Sequence, residues 1–400
     1  MLPIAPKKQE CKLKASKIQI NYKTKTRLKV VQVPMFRPTV QTISPDLLET
    51  ALGGLGCELL DKLEGQVASM LGVPFVVAAS NAALAMHLAL SAIDMKRGDK
   101  MITSVNAHPS IAQMVRHFDA EPIFADIDPD TFNMKHDAID AAWSDRQKKL
   151  RGVIYSLSAG QSDDLERLYT AIHADSGIVI VESFGSIGLE LKLENGAPDM
   201  LVTSLFAFGS PSAANVGFIA THSETLRNRA RLIRNYGLDN SGANSTGYTY
   251  DMVDIGMSYV PSALDVAYTL TALDSIKGAV DRRREIAARY DEAFKALAHV
   301  TPPVKKHQHA YTHYVVKVDK NRDDFARELG VRGVEAGLHY IPLHLMSYYR
   351  SKYAIKITDF PRALSNYQHI LSLPISGNMS DSEVEIVINA VKEIDHKRAW

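Results

Sequence analysis

Seven short apolar runs recur through the middle of the chain: FVVAAS (75–80), KMITS (100–104), EPIFADI (121–127), GVIYSL (152–157), GIVIVE (177–182), MLVTSLF (200–206) and VGFIAT (216–221). Between the first two, Ala83, Met86, Leu90 and Ile93 fall on one helical stripe; between the fourth and fifth, Leu165, Leu168 and Ile172 make another. Short apolar runs alternating with helical patterns predict a mostly parallel sheet with helices on both faces. From Pro261 a long helical stripe follows through Leu264, Ala267, Leu270, Leu273, Ile276 and Val280, and DRRREIAARYDEAF (281–294) continues it. A strand-like HAYTHYVVKV (309–318), a helix near 322–329 and a closing helix near 381–397 predict a smaller α+β unit. Upstream, residues 17–33 alternate apolar and polar as an edge strand or hairpin does. The expected fold is α/β: a basic arm over 1–33, a large domain over 34–255 with a seven-stranded, mostly parallel sheet, and a small α+β C-terminal domain over 256–400.

Charge changes this picture only at the N-terminus. The 400-residue chain carries a net +1, so as a whole it advertises neither a nucleic-acid nor a membrane partner. Residues 1–40, however, hold ten Lys/Arg against the single acid Glu10, a local net of +9 on a body of net −8. Such an arm folds back on its own body or a twin subunit, binds anions, or stays solvated. Cys11 and Cys57 make no disulfide framework and lack metal-ligand spacing. With no apolar run of spanning length and no secretory signal, a soluble cytoplasmic protein is the default expectation.

The candidate chemistry lies in residues 200–221, MLVTSLFAFGSPSAANVGFIAT. This stretch closely resembles the strand, loop and strand of DegT/StrS-type nucleotide-sugar aminotransferases, which belong to the fold-type I pyridoxal phosphate (PLP) enzymes and show roughly S-F-x-x-x-K-N-x-x-x-G-E-G-G. Ser204 falls on the serine, Gly217 on the last glycine, and Gly209 on the lysine that would hold PLP as a Schiff base. EPIFADIDPDTFNM (121–134), RARLIRNYGLD (229–239), RRREIAARYDEAF (282–294) and GLHYIPLHLMSYYRSKY (337–353) are similar to further family segments in the same order. The likeness covers roughly residues 34–398.

The resemblance implies a cofactor pocket that departs from the family pattern in several places. The phosphate cup S-G-T-A-A-L becomes Ser80, Asn81, Ala82, Ala83, Leu84, which keeps a helix cap but loses the hydroxyl. The acid against the pyridine nitrogen falls on Glu182 when the alignment runs back from Gly188, and on Ser183 when it runs forward from Gly177; Glu182 is the only acid available. The stacking ring falls on His108. Ser258 and Val260 stand where a partner subunit's asparagine and arginine would meet the phosphate, and residues 47–65 run through without the family's active-site loop. Gln161 and Ser204 are kept, as are His339, Tyr340, Pro342, Leu343 and His344 of an H-Y-x-P-L-H pattern that in relatives lies near the nucleotide-sugar entrance.

These departures imply no covalently bound PLP, and the cofactor is not expected here. Some relatives use a histidine at the lysine position as dehydratases, but Gly209 supplies no proton carrier either. The expected role is a non-catalytic partner, scaffold or regulatory subunit, as a homodimer or as a heterodimer with an active paralogue. The alternative is PLP-independent chemistry on a sugar nucleotide or an amino-acid conjugate, with Glu182, His108 and His339 as candidate acids and bases and His339 and Tyr340 toward the ligand. A conventional aminotransferase stands last, because it needs a lysine from elsewhere in the chain.

Overall fold

The seven apolar runs form the seven strands of one sheet. The computed structural model describes residues 32–37, 42–54, 56–145, 149–187, 198–205, 215–239 and 250–398. Gly209, most of the basic arm with its alternating segment, and Lys192 lie outside the described residues. The strands are β1 (Phe75–Ala79), β2 (Lys100–Ser104), β3 (Glu121–Ala125), β4 (Leu150–Ser156), β5 (Ile178–Phe184), β6 (Met200–Ser204) and β7 (Gly217–Thr221). Their order across the sheet is β1-β7-β6-β5-β4-β2-β3. Only β7 runs against its neighbours; β2 to β6 pair in parallel.

Successive side chains on a strand point to opposite faces, so each run feeds two cores. Val76, Ala78, Val153, Val179, Val181 and Leu201 face one way, against α2 (Gly56–Leu71) and α8 (Ala263–Leu273). Val77, Ala79, Ile154, Ile180, Met200 and Val202 face the other, against α3 (Ala82–Ala92), α4 (Pro109–His117) and α7 (Glu224–Arg234). Burial on both faces explains why the runs read as nearly continuous apolar stretches.

The stripe after Pro261 is interrupted where the pattern predicts continuity. It divides into α8 and α9 (Ile276–Phe294), and Leu264 stands 45% exposed. At the break the Ser275 hydroxyl donates to the Ala272 carbonyl (2.8 Å), the local side-chain bond that competes with helix propagation. The first part of the stripe, to Val280, packs in the large core, whereas Ile286, Tyr290 and Phe294 join a second core. That core is built on a three-stranded antiparallel sheet, Val300–Thr301, Tyr314–Val318 and Ile370–Leu373, covered by helices Arg322–Val331 and Asp381–Arg398.

The two cores are joined by a backbone hook. Ala310 N donates to Gly160 O (2.8 Å), Thr312 N to Ala159 O (3.0 Å) and Ser162 N to Gln308 O (2.9 Å). Gln161 is spent on the same joint: its Oε1 accepts from Lys306 N (2.8 Å) and its Nε2 donates to Val304 O (3.3 Å). On the opposite side of the molecule's sequence, Val33 bridges Val334 and Met35 N donates to the Glu335 carboxylate (2.9 Å). No helix among the described residues is long and apolar enough to cross a membrane.

A buried ion pair anchors the edge of the large sheet. Glu64 on α2 and Arg234 on α7 pair directly, and both also bond Ala78 of β1: Ala78 N donates to Glu64 (2.9 Å) and Arg234 donates to Ala78 O (3.1 Å). Removing one member strands a buried charge together with a backbone group. Glu64→Ala is expected to cost about 3–5 kcal/mol of stability, read from the urea midpoint against wild type.

Candidate functional site

Strands β2, β4 and β5 end side by side, the edge at which open α/β sheets place ligands. His108 follows β2 and starts α4; Ser156 closes β4; Glu182 stands in β5, paired in register with Ser156. The hook described above brings His313 across this edge, and the loop after the Arg322–Val331 helix brings His339 and Tyr340. Together these side chains, with Phe184, enclose a cavity of about 30 Å³.

Each group is held by a local bond. His108 caps α4, its Nδ1 accepting from Ser110 N (3.1 Å), and its ring meets Tyr340 edge-on at 5.2 Å. His339 Nδ1 bonds the Ser372 hydroxyl (2.9 Å), and its ring lies 4.0 Å from that of His313. Glu182 Oε1 accepts from Phe184 N (2.8 Å). The buried His313 Nε2 has no hydrogen-bond partner.

Burial sets the charges. It pushes the Glu182 carboxyl up to about 7, although the Phe184 amide and then the Ser156 hydroxyl pull the other way. It lowers His108 to about 4, helped by His339, and His339 itself to about 4. His313 is driven well below the usual imidazole range by burial and then by His339. The Tyr340 phenol is raised by burial and by Glu182. Near neutral pH the cavity therefore holds uncharged imidazoles around one carboxyl that exchanges its proton. Such a group can serve as a general acid or base.

Of the residues singled out from the sequence, His108, Glu182, His339 and Tyr340 are brought together here. Asn81, Ala82 and Ala83 lie at the start of α3, where the Asn81 side chain accepts from Leu84 N (2.8 Å) and caps the helix. Gly217 is needed there: a Cβ on it would sit 2.5 Å from Asn81 O. Ser204 is buried, its hydroxyl accepting from Gly185 N (3.2 Å). Ser258 is exposed and bridges Asn235, while the neighbouring Tyr259 carbonyl accepts from Ser80 N (2.7 Å). Gln161 serves the joint between the cores and does not line the cavity. His313 was not legible as a site residue; its only signal is a histidine opening a strand pattern. No group of three or more His, Cys, Asp or Glu among the described residues could hold a metal ion.

PLP would require a phosphate cup, an acid at the ring nitrogen, a flat wall and an amine. The described residues offer the acid in Glu182 and a ring in His108. The Asn81 side chain is already committed to its cap, and Ser258 and Val260 carry no cation.

Comparison with known proteins places this geometry. The model of the DegT/DnrJ/EryC1/StrS aminotransferase family matches residues 50–392. The spore coat polysaccharide biosynthesis protein SpsC of Bacillus subtilis is 29% identical over 350 residues, covering 84% of this chain and 89% of its own. Among solved structures, the Helicobacter pylori aminotransferase PseC, involved in pseudoaminic acid biosynthesis, superposes with a TM-score of 0.82 at 18% identity, over 91% of this chain and 99% of its own. The aminotransferase TlmJ of Streptoalloteichus hindustanus gives 0.80 at 23% identity, over 92% and 100%.

The raised Glu182 carboxyl has a signed consequence. Between its ordinary 4.5 and about 7 the fold retains a proton that the unfolded chain releases, so its contribution to stability is lost as pH rises. His108 and His339 act oppositely: their contribution is present above 6.5 and is lost as pH falls toward 4. Glu182→Gln keeps an acceptor for Phe184 N but removes the titration. The variant is expected to match wild type below pH 4.5 and to exceed it by ~2–3 kcal/mol above pH 7, checked by urea melts at several pH values.

Proposed function

Because the chain belongs to the DegT/DnrJ/EryC1/StrS aminotransferase family, we propose that it is a sugar-aminotransferase homologue that forms no Schiff base with PLP and acts as a non-catalytic partner, scaffold or regulatory subunit in polysaccharide or natural-product biosynthesis. The observation that carries this reading is Gly209, which stands where the resemblance puts the lysine. Glycine offers no amine to condense with the cofactor aldehyde and no group to move a proton. The altered phosphate cup supports the same reading: the Asn81 side chain is committed to its helix cap, and Ser258 and Val260 carry no cation. The biosynthetic setting rests on the name of the related SpsC protein.

An exposed apolar surface supports a subunit role. Met252, Val253, Ile255, Met257 and Val260 stand exposed within nine residues, Ile255 by 85%, and Leu264 of α8 and Leu48 and Leu52 of the packed helix Pro45–Leu52 are exposed as well. Apolar side chains so concentrated mark a protein–protein contact, here with a second copy or with an active paralogue. A second reading, PLP-independent chemistry in the same cavity on a sugar nucleotide or an amino-acid conjugate, is favoured by Glu182 titrating near neutrality beside Tyr340.

Purified protein mixed with PLP is expected to develop no Schiff-base absorbance that borohydride abolishes; such a band in the wild type overturns the main reading. Gly209→Lys alone is expected not to restore transamination, because the phosphate cup, the ring wall at His108 and the residues at Ser258 and Val260 also depart from the family pattern. Sugar-nucleotide binding by calorimetry favours the second reading, and co-purification with a related subunit favours the first. Ile255→Asp is expected to convert dimers to monomers, measured by light scattering on a sizing column.

A further inference from the structure

The exposed apolar side chains of the subunit surface stand among acids. The start of α2 packs on the start of α8, where a Cβ on Gly56 would lie 3.1 Å from that of Ala263, and the helix Pro45–Leu52 packs on both. Residues 42–60 and 250–276, which carry all of these apolar side chains, hold seven acids and no lysine or arginine. Asp46, Glu49, Glu58 and Asp251 are exposed and make no ion pair among the described residues. Asp265 accepts from the Ser262 hydroxyl (2.7 Å), and Asp254 alone meets a cation among the described residues, Arg229 at 3.4 Å. Two copies meeting face to face about a two-fold axis would set these acids against their own equivalents, and like charges across an interface oppose association.

The missing counter-charge is in the chain itself. Residues 1–31 hold nine Lys/Arg against Glu10. Lys23, Lys25, Arg27 and Lys29 occupy alternate positions, and Ile18, Ile20, Tyr22, Leu28 and Val30 fall on the other parity. An extended segment sends alternate residues to opposite sides, so this stretch offers one basic and one apolar side. Its root is fixed: Gln32 N and Val33 N donate to Gly333 O (2.8 and 3.0 Å). From Gln32 to the first residue of the helix Pro45–Leu52 the chain spans at most about 45 Å, whereas the 31 residues before Gln32 extend to about 100 Å.

We propose that the basic arm of each copy docks on the acid-bordered apolar face of a second copy and latches the pair. The proposal rests on the reading that this face meets a second copy. The arm matches the face in both respects, with cations for the unpaired carboxylates and apolar side chains for the exposed ones. In a face-to-face pair the two borders lie together, so an arm able to reach its own border also reaches the other. Crossing adds the arm's bonds to those between copies, whereas docking on its own chain would cover the apolar side chains that pairing needs.

The test is light scattering of the full chain over a concentration series. Lys23→Gln, Lys25→Gln, Arg27→Gln and Lys29→Gln combined are expected to raise the dimer dissociation constant roughly tenfold or more. Raising NaCl from roughly 0.05 to 0.5 M is expected to loosen the wild-type pair and to affect the quadruple variant less. Lys352→Gln, Lys356→Gln and Lys392→Gln combined, three exposed lysines of other elements, are expected to leave the pair unchanged. Cys57 is exposed beside Glu58 on the same face. A bismaleimide joining Cys11 to Cys57 is expected to give covalent dimers that Cys11→Ser abolishes. A wild type that stays monomeric throughout overturns both the latch and the reading beneath it. A dimer equally tight in the quadruple variant, or Cys11–Cys57 links confined to single chains, overturns the latch alone. Should the quadruple variant fail to fold, the wild-type cross-link decides.

Discussion

The placing of His313 in the candidate site depends on the hook between residues 304–312 and the loop at 158–162. Its bonds join the two cores beside the mixed cluster of Val105, Ile127, Phe132, Val315, Ala363 and Ile370: Ala310 N to Gly160 O, Thr312 N to Ala159 O, and the Gln161 side chain clasping Lys306 N and Val304 O. Buried backbone groups must find partners, so once the chain has crossed from one core to the other this pairing leaves it little freedom. Gly160 at φ +79° permits the turn, and a Cβ there would press against the Thr312 methyl at 3.0 Å. The result is that His313 crosses the carboxyl edge of the sheet, and the strand Tyr314–Val318, the helix Arg322–Val331 and the loop after it carry the chain back to set His339 and Tyr340 at the same cavity as Glu182.

The cavity thus assembled has an electrostatic logic of its own. Uncharged imidazoles give Glu182 no fixed positive partner, so desolvation dominates and its carboxyl stays protonated up to about neutral pH. Had one histidine been protonated there, it would have pulled the carboxyl down and raised itself in turn. Burial penalises both charged forms, and the neutral combination wins. The unpartnered His313 Nε2 faces the same space. Since buried polar groups are ordinarily satisfied, this lining calls for a small polar occupant rather than for closer packing.

Much of the fold was legible because burial on both faces of a central sheet leaves an unmistakable trace, and each of the seven apolar runs coincides with a strand to within two or three residues at its ends. The closing helix and the strand at 314–318 were legible for similar reasons. The break at Asp274–Ser275 was not, because apolar periodicity carries on across it and only a side-chain bond to the backbone marks the stop. At the site, Glu182, His108, His339 and Tyr340 stood out through resemblance, but their meeting depends on long-range pairing that no local pattern encodes. His313 was missed for that reason. Gln161 stood out too, yet its side chain belongs to the joint.

The separation between scaffold and chemistry follows from where each is stored. The sheet, the Glu64–Arg234 anchor and the hook are maintained by contacts that do not involve position 209, so a glycine there leaves the determinants of folding in place. Catalytic residues in a family fold are commonly held at some cost to stability, and replacing one relaxes that cost. On the proposed reading, in which the reactive amine is absent, the chain can therefore keep the architecture, the apolar subunit surface and a polar cavity with nothing opposing their retention. What then distinguishes a silent partner from an enzyme of another kind is whether the proton on Glu182 has a ligand to act upon, and that question belongs to the cavity rather than to the fold.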